Sequence, residues 1–137
     1  MTRLGYRGYI GSRHYQGQRA PQHVQNLVIR NYCQKNGMTY LLSATEYAME
    51  GCFVMLNDVL NELPKLEGIV LYSLYMLPSG PAERRHIWNR VLDQGASLHG
   101  AVEDWAVRSK ADVAKVEDLW MITHTMRHAA DPQGLPL

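Results

Sequence analysis

Cysteine is scarce in this chain. Cys33 and Cys52 are the only two in 137 residues and are not spaced as a CxxC pair, which excludes a disulfide-stapled scaffold and reads as two reduced thiols within helical segments. No apolar run approaches the ~20 residues that span a bilayer. Met1 to Tyr6 also lack the apolar stretch of a signal peptide, so the expectation is a cytoplasmic protein with no membrane partner. Neither sign of charge dominates: 14 Lys+Arg against 13 Asp+Glu leave a formal +1. That balance argues against a general nucleic-acid binder and confines any basic patch to one locality. Gly8-Tyr9-Ile10-Gly11 is followed by neither the third glycine of a dinucleotide fingerprint nor the lysine of a Walker loop, and no cofactor is expected. His124 and His128 stand i, i+4 but lack the glutamate of the zinc-protease pattern, so no metal site is expected either.

What is present is an alternation of short apolar strands with amphipathic helices. With 46% hydrophobic and 20% charged residues, the chain suits one domain, placed at residues 1–128, and a tail over 129–137 whose two prolines and glycine predict disorder. Strands are expected near 6–11, 39–44, 67–72 and 97–102. Between them, Pro21 is placed as the first helical residue, followed by the stripe Val24, Leu27, Val28, Asn31 and Tyr32, with Gly37 closing the helix. A second helix carries Phe53, Leu56, Val59, Leu60 and Leu63 and is expected to stop at Pro64; a third carries Ile87, Trp88, Val91 and Leu92 and ends before Gly95. This pattern predicts a three-layer α/β/α fold: a four-stranded, mainly parallel sheet in flavodoxin-like order, and a long C-terminal helix.

That last helix opens on Ser109 and Asp112, a capping-box spacing with Asp in place of Glu or Gln. It bears Val113, Val116, Leu119, Trp120 and Thr123, and Met121, Ile122 and Met126 widen its apolar surface beyond one face. The excess predicts a homodimer through residues 110–128; a fully buried terminal helix is the alternative.

In a parallel sheet, ligands sit beyond the carboxyl ends of the strands. The first strand runs into Ser12-Arg13, and the turn adds His14, Gln18 and Arg19 before Gln22 and His23 open the helix. Guanidinium groups fork onto carboxylate or phosphate, so Arg13 and Arg19 are candidate anion ligands, or an exposed loop pair. Ser12 reads as a nucleophile or as a turn serine capping the next segment. His23 suits proton transfer near neutral pH. The second strand delivers Ser43, Thr45, Glu46 and Tyr47; Glu46, beyond an apolar strand, is a candidate acid or base, or a salt-bridge partner of Arg13 or Arg19. The third delivers Tyr72, Ser73 and Tyr75; the rings of Tyr72, Tyr75 and Tyr47 suit sugar faces or a core with a wet hydroxyl. Glu103-Asp104, after the fourth, is expected to pair with Arg84-Arg85.

Two families share these features. Gly8-Tyr9-Ile10, Ser12, Gln25-Asn26-Leu27, Glu46 and Ile69-Val70-Leu71-Tyr72-Ser73-Leu74 resemble the catalytic domain of serine recombinases of the resolvase and invertase type, over residues 7–105. The resemblance implies a resolvase-like fold and places Ser12 near the nucleophile. Where those enzymes carry an Asp-Arg pair and a further Arg for the scissile phosphate, this chain has Tyr75, Met76 and Ser79; these cannot neutralise a phosphate transition state, so the likeness is of fold and not of DNA cleavage. Arg7-Gly8-Tyr9-Ile10-Gly11-Ser12-Arg13, Pro21 to Arg30, Leu41 to Met49 and Leu71 to Pro78 resemble the sporadic carbohydrate cluster proteins, over residues 7–122. That resemblance implies a part in making or modifying a carbohydrate. The function expected is acid/base chemistry, isomerisation or elimination, on a small anionic sugar-like substrate. Arg13 and Arg19 would clamp it, Gln18, Gln22, Ser43, Tyr47, Tyr72, Ser73 and Tyr75 would line the site, and Glu46, His23 and Ser12 would do the chemistry. The alternative is a noncatalytic binding or scaffold protein.

Overall fold

The computed structural model describes residues 3–11, 20–46 and 53–130, the side chains of residues 124 and 127–130 excepted. Along them run β1 (Tyr6–Gly11), α1 (Gln22–Lys35), β2 (Tyr40–Glu46), α2 (Val54–Asn61), β3 (Gly68–Leu71), α3 (Pro81–Asp93), β4 (Ser97–Gly100), β5 (Trp105–Val107) and α4 (Lys110–Ala130). The sheet order is β2-β1-β3-β4-β5. β1 pairs in parallel with β2 and β3, and β3 with β4. The flavodoxin-like order and the α/β class are those expected, but the sheet has five strands, not four. The fifth, only three residues long, turns back antiparallel onto β4 after a tight turn in which Asp104 adopts φ 55°.

All four residues of β3 and of β4 are buried, as helices on both faces of a parallel sheet require. One face carries Ile10, Val70 and Ala101 against Ile29, Tyr32 and Cys33 of α1. The other carries Tyr9, Ile69, Leu71 and Leu98 against Leu56, Val59 and Leu60 of α2, Ile87, Trp88 and Val91 of α3, and Val116 of α4. Each fully buried Leu or Ile contributes about 2 kcal/mol, so slipping a strand by one residue, which exchanges the two faces, is strongly disfavoured.

Several boundaries move for local reasons. Pro21 is the N-cap of α1 and not its first residue. The buried stripe of α1 is Gln25, Ile29, Tyr32 and Cys33, while Leu27 is exposed; a polar side chain takes the core position because the end of β1 satisfies it. α2 ends at Asn61, and Pro64 lies in the single 3-10 turn that follows. β4 stops at Gly100, with Ala101 and Val102 entering the turn. Ala129 and Ala130, placed by sequence in the tail, belong to α4; residues 131–137 lie outside the described residues.

β2 outlasts its expected end because it contains a bulge. Arg7 faces Leu41, but Tyr9 faces Ala44, so β2 holds one extra residue. Arg7 satisfies the bulge by donating to the Leu42 carbonyl at 2.9 Å, and its other terminal nitrogen meets Glu62 at 2.8 Å. β2 then continues to Glu46, opposite Gly11.

Candidate functional site

The carboxyl ends of β1, β2, β3 and β4 are joined by side chains reaching between elements. At the end of β1 stands Gln25, 1% exposed. Its Oε1 accepts from the Gly11 amide at 3.1 Å, and its Nε2 donates to the carbonyls of Gly11 at 2.7 Å and Ala20 at 2.8 Å. One buried amide therefore ties together the residue before and the residue after 12–19. A buried polar group needs such partners to offset its desolvation; here they fix the positions of Gly11 and Ala20.

Glu46, also 1% exposed, ends β2. Its carboxylate accepts from the Tyr9 hydroxyl at 2.9 Å and from the amides of Met55 and Leu56 at 3.1 Å each. The latter two belong to the first turn of α2, whose N-cap residue Phe53 offers no side-chain cap. A negative group from the neighbouring strand thus caps the helix at the positive end of its dipole.

Beyond β3, Ser73 is buried. Its hydroxyl donates to Glu103 at 2.7 Å and accepts from the Tyr75 amide at 3.2 Å, and the other Glu103 oxygen accepts from the Leu74 amide at 2.8 Å. The expected pairing of Glu103-Asp104 with Arg84-Arg85 is therefore corrected. Glu103 caps the turn after β3, Asp104 lies 3.6 Å from Lys35, and Arg84 belongs elsewhere. The Arg84 guanidinium, 4% exposed, forks onto Glu117 of α4 at 2.8 and 2.9 Å, donates to the Pro78 and Ser79 carbonyls, and lies 4.2 Å from the Trp120 ring. Trp88 donates to the same carboxylate at 3.0 Å. This cluster fastens α4 to α3, and the Arg84 hydrogen bonds hold the Glu117 carboxyl below its ordinary range.

The sequence-derived residues distribute as follows. Ser12, Arg13, His14, Gln18, Arg19 and Tyr47 lie outside the described residues. Gln22 and His23 are exposed in the first turn of α1, immediately after the Ala20 anchor. Ser43 lies inside β2 rather than at its end, with its hydroxyl 2.7 Å from that of Tyr40. Tyr72 is half-buried and touches both cores. Tyr75 turns to α4: its hydroxyl is 2.7 Å from that of Thr123 and its ring packs 5.1 Å from Trp120. The edge thus gathers Gly11, Gln25, Glu46, Tyr72, Ser73 and Glu103. Among the described residues no group of three His, Cys, Asp or Glu is arranged to hold a metal ion.

Sequence reasoning missed a second polar cluster, inside the α1 face. His99 of β4, 0% exposed, has Nδ1 2.7 Å from the Tyr32 hydroxyl and Nε2 2.7 Å from the Ser97 hydroxyl, with the Tyr6 and Tyr32 rings edge-on. Burial, helped by the Arg108 charge, lowers its pKa to about 4, so the imidazole is neutral at pH 7. Burial also pushes the Tyr32 phenol to about 12 and the Cys33 thiol to about 11, leaving both protonated. The i, i+2 spacing of Ser97 and His99 was a signal that both share one strand face.

No protein-family profile matches this chain, and no curated protein does. Among solved structures, the N-terminal catalytic domain of TP901-1 integrase is similar: 15% identical, covering 91% of this chain and 99% of that one, at a TM-score of 0.58. The fold is resolvase-like. At that identity the likeness is one of architecture alone. After β3, where the recombinase resemblance calls for phosphate-binding arginines, the chain places Tyr75, Met76 and Ser79.

No helix among the described residues is long and apolar enough to cross a membrane.

Proposed function

We propose that this protein uses a recombinase-type scaffold to hold a small anionic, sugar-like molecule over the carboxyl edge of its sheet, and that it acts on that molecule by acid/base chemistry in carbohydrate biosynthesis. The observation that carries the reading is the Gln25 anchor. It delivers both ends of the segment bearing Ser12, Arg13, Gln18 and Arg19 to the end of β1, beside the crevice where α/β sheets bind ligands. Arg13 and Arg19 clamp the anion, Tyr47 and Tyr72 present their rings to it, and Gln18 and Gln22 add donors. Proton transfer falls to exposed His23, with Ser12 at the reacting end. Glu46 acts as a positioning residue, because its carboxylate already serves Tyr9 and the start of α2. The carbohydrate assignment rests on the motif resemblance to the sporadic carbohydrate cluster proteins.

The test is thermal stabilisation by a pool of sugar acids, sugar phosphates and nucleotide sugars, repeated on Arg13→Ala and Arg19→Ala. The reading expects a shift with at least one anionic member, lost in both variants, and turnover of that member lost in His23→Gln. A flat response across the pool refutes it.

One observation favours a second reading, a noncatalytic scaffold. Met121, Ile122 and Met126 are 68, 56 and 64% exposed on α4, an apolar surface that a second copy of the chain would cover as a homodimer. Sedimentation showing a dimer that Met121→Lys dissociates, together with no response to the pool, is the outcome this reading requires.

A further inference from the structure

The opposite edge of the sheet carries a hollow of about 390 Å³, walled by Tyr6, Ala96 and Ser97 and rimmed by Arg3, Arg108 and Glu67. Strand register accounts for it. Tyr6 of β1 faces Gly68 of β3, which faces Ser97 of β4. Glycine is required between them, since a Cβ at position 68 would strike both Ser97 and the Tyr6 ring. Val107 of β5 faces Leu98, so the next residue, Arg108, comes level with Ser97. Its side chain lines the hollow with Arg3.

Two features indicate what it could hold. First, among the described residues neither Arg3 nor Arg108 forms an ion pair; Arg3 donates to the Gln94 carbonyl. Two guanidinium groups against the single Glu67 carboxylate leave a local charge of about +1. Second, the Ser97 hydroxyl in the wall, 6% exposed, is held from behind by the fully buried His99 ring, which is held in turn by Tyr32. A buried run of hydroxyl, imidazole and hydroxyl is costly to build, and this one ends at the hollow.

We propose that this hollow binds a small hydroxycarboxylate: Arg108 and Arg3 take the carboxylate, and the wall at Ser97 takes a ligand hydroxyl. Guanidinium matches a planar carboxylate in bidentate fashion, and the Ser97 wall beside it offers a hydrogen bond to a neighbouring hydroxyl. The site lies at the other end of the strands from the edge considered above and does not depend on that reading.

The test is an NMR titration of the intact chain with lactate and, separately, inorganic phosphate, following the Ala96 and Ser97 amides and the His99 ring. Lactate is expected to give saturable shifts at these positions. Arg108→Gln should weaken its binding about tenfold, the loss of one charge-assisted contact, Arg108→Lys less, and Arg30→Gln, exposed on α1 over the Tyr40 ring, not at all. No saturable shift with lactate, equal affinity in Arg108→Gln, or tighter binding of phosphate than of lactate overturns the proposal.

Discussion

Acidification below pH 6.5 should destabilise this protein through His99. In the unfolded chain the imidazole takes a proton below its ordinary pKa of 6.5, whereas the folded protein refuses that proton until about pH 4. Between those values the unfolded state binds more protons, so the His99 contribution to stability is full above pH 6.5, falls as the pH drops, and stops changing below about pH 4. At ~1.4 kcal/mol per pKa unit, the loss is on the order of 3 kcal/mol by pH 4. Domains of this size are stable by roughly 5–15 kcal/mol, so the effect is a large share of the total. Solvent does not discount it, because the ring is fully buried. The assay is urea unfolding followed by circular dichroism at half-unit steps from pH 8 to pH 4, on the wild type and on His99→Gln, which keeps hydrogen-bonding capacity toward Tyr32 and Ser97 but cannot titrate. The variant is expected to be less stable at pH 7 and to lack the slope between pH 6.5 and pH 4.5. A variant with the wild-type slope, or a His99 ring resonance titrating above pH 6, would falsify the reasoning.

The other predictions concern the polar links. Arg84→Ala should cost about 2–3 kcal/mol, below the range for a fully buried ion pair because the Glu117 side chain is 30% exposed and can rehydrate; urea midpoints of the variant and of Glu117→Gln check this. Glu46→Ala should cost about 2–3 kcal/mol, from ~1 for the lost cap of α2 and the rest for the Tyr9 hydroxyl bond, while Glu46→Gln, which keeps one accepting oxygen, should cost less than half of that. Gln25→Leu should cost about 2–3 kcal/mol, three hydrogen bonds at ~1 each, and native-state exchange of the Gly11 amide should quicken; unchanged protection there would count against the anchor.

Much of the architecture is legible along the chain because it is written in short-range terms. Apolar runs at Gly68–Leu71 and Leu98, the stripe Ile87, Trp88 and Val91, and Gly37 and Gly95, both at φ 66°, specify their elements through neighbours within a few residues. The capping reading at Ser109 and Asp112 holds for the same reason: Asp112 donates its amide to the Ser109 hydroxyl at 3.3 Å and accepts from the Arg108 amide at 3.0 Å. β5 escaped because three residues are too few to show an alternation.

The polar assignments, by contrast, required the folded chain. Glu46 caps a helix that begins eight residues later, Arg84 reaches Glu117 across 33 positions, and His99 meets Tyr32 across 67. Charge in the sequence offers many possible partners for each of these groups, and only the packing of the two cores brings one of them within hydrogen-bonding distance and removes water from the rest. Periodicity and turn chemistry therefore determined which strands and helices form. The identity of each buried polar contact, and the hollow beside Ser97, were decided by tertiary structure, because desolvation depends on what surrounds a group in space and not on what adjoins it in the chain.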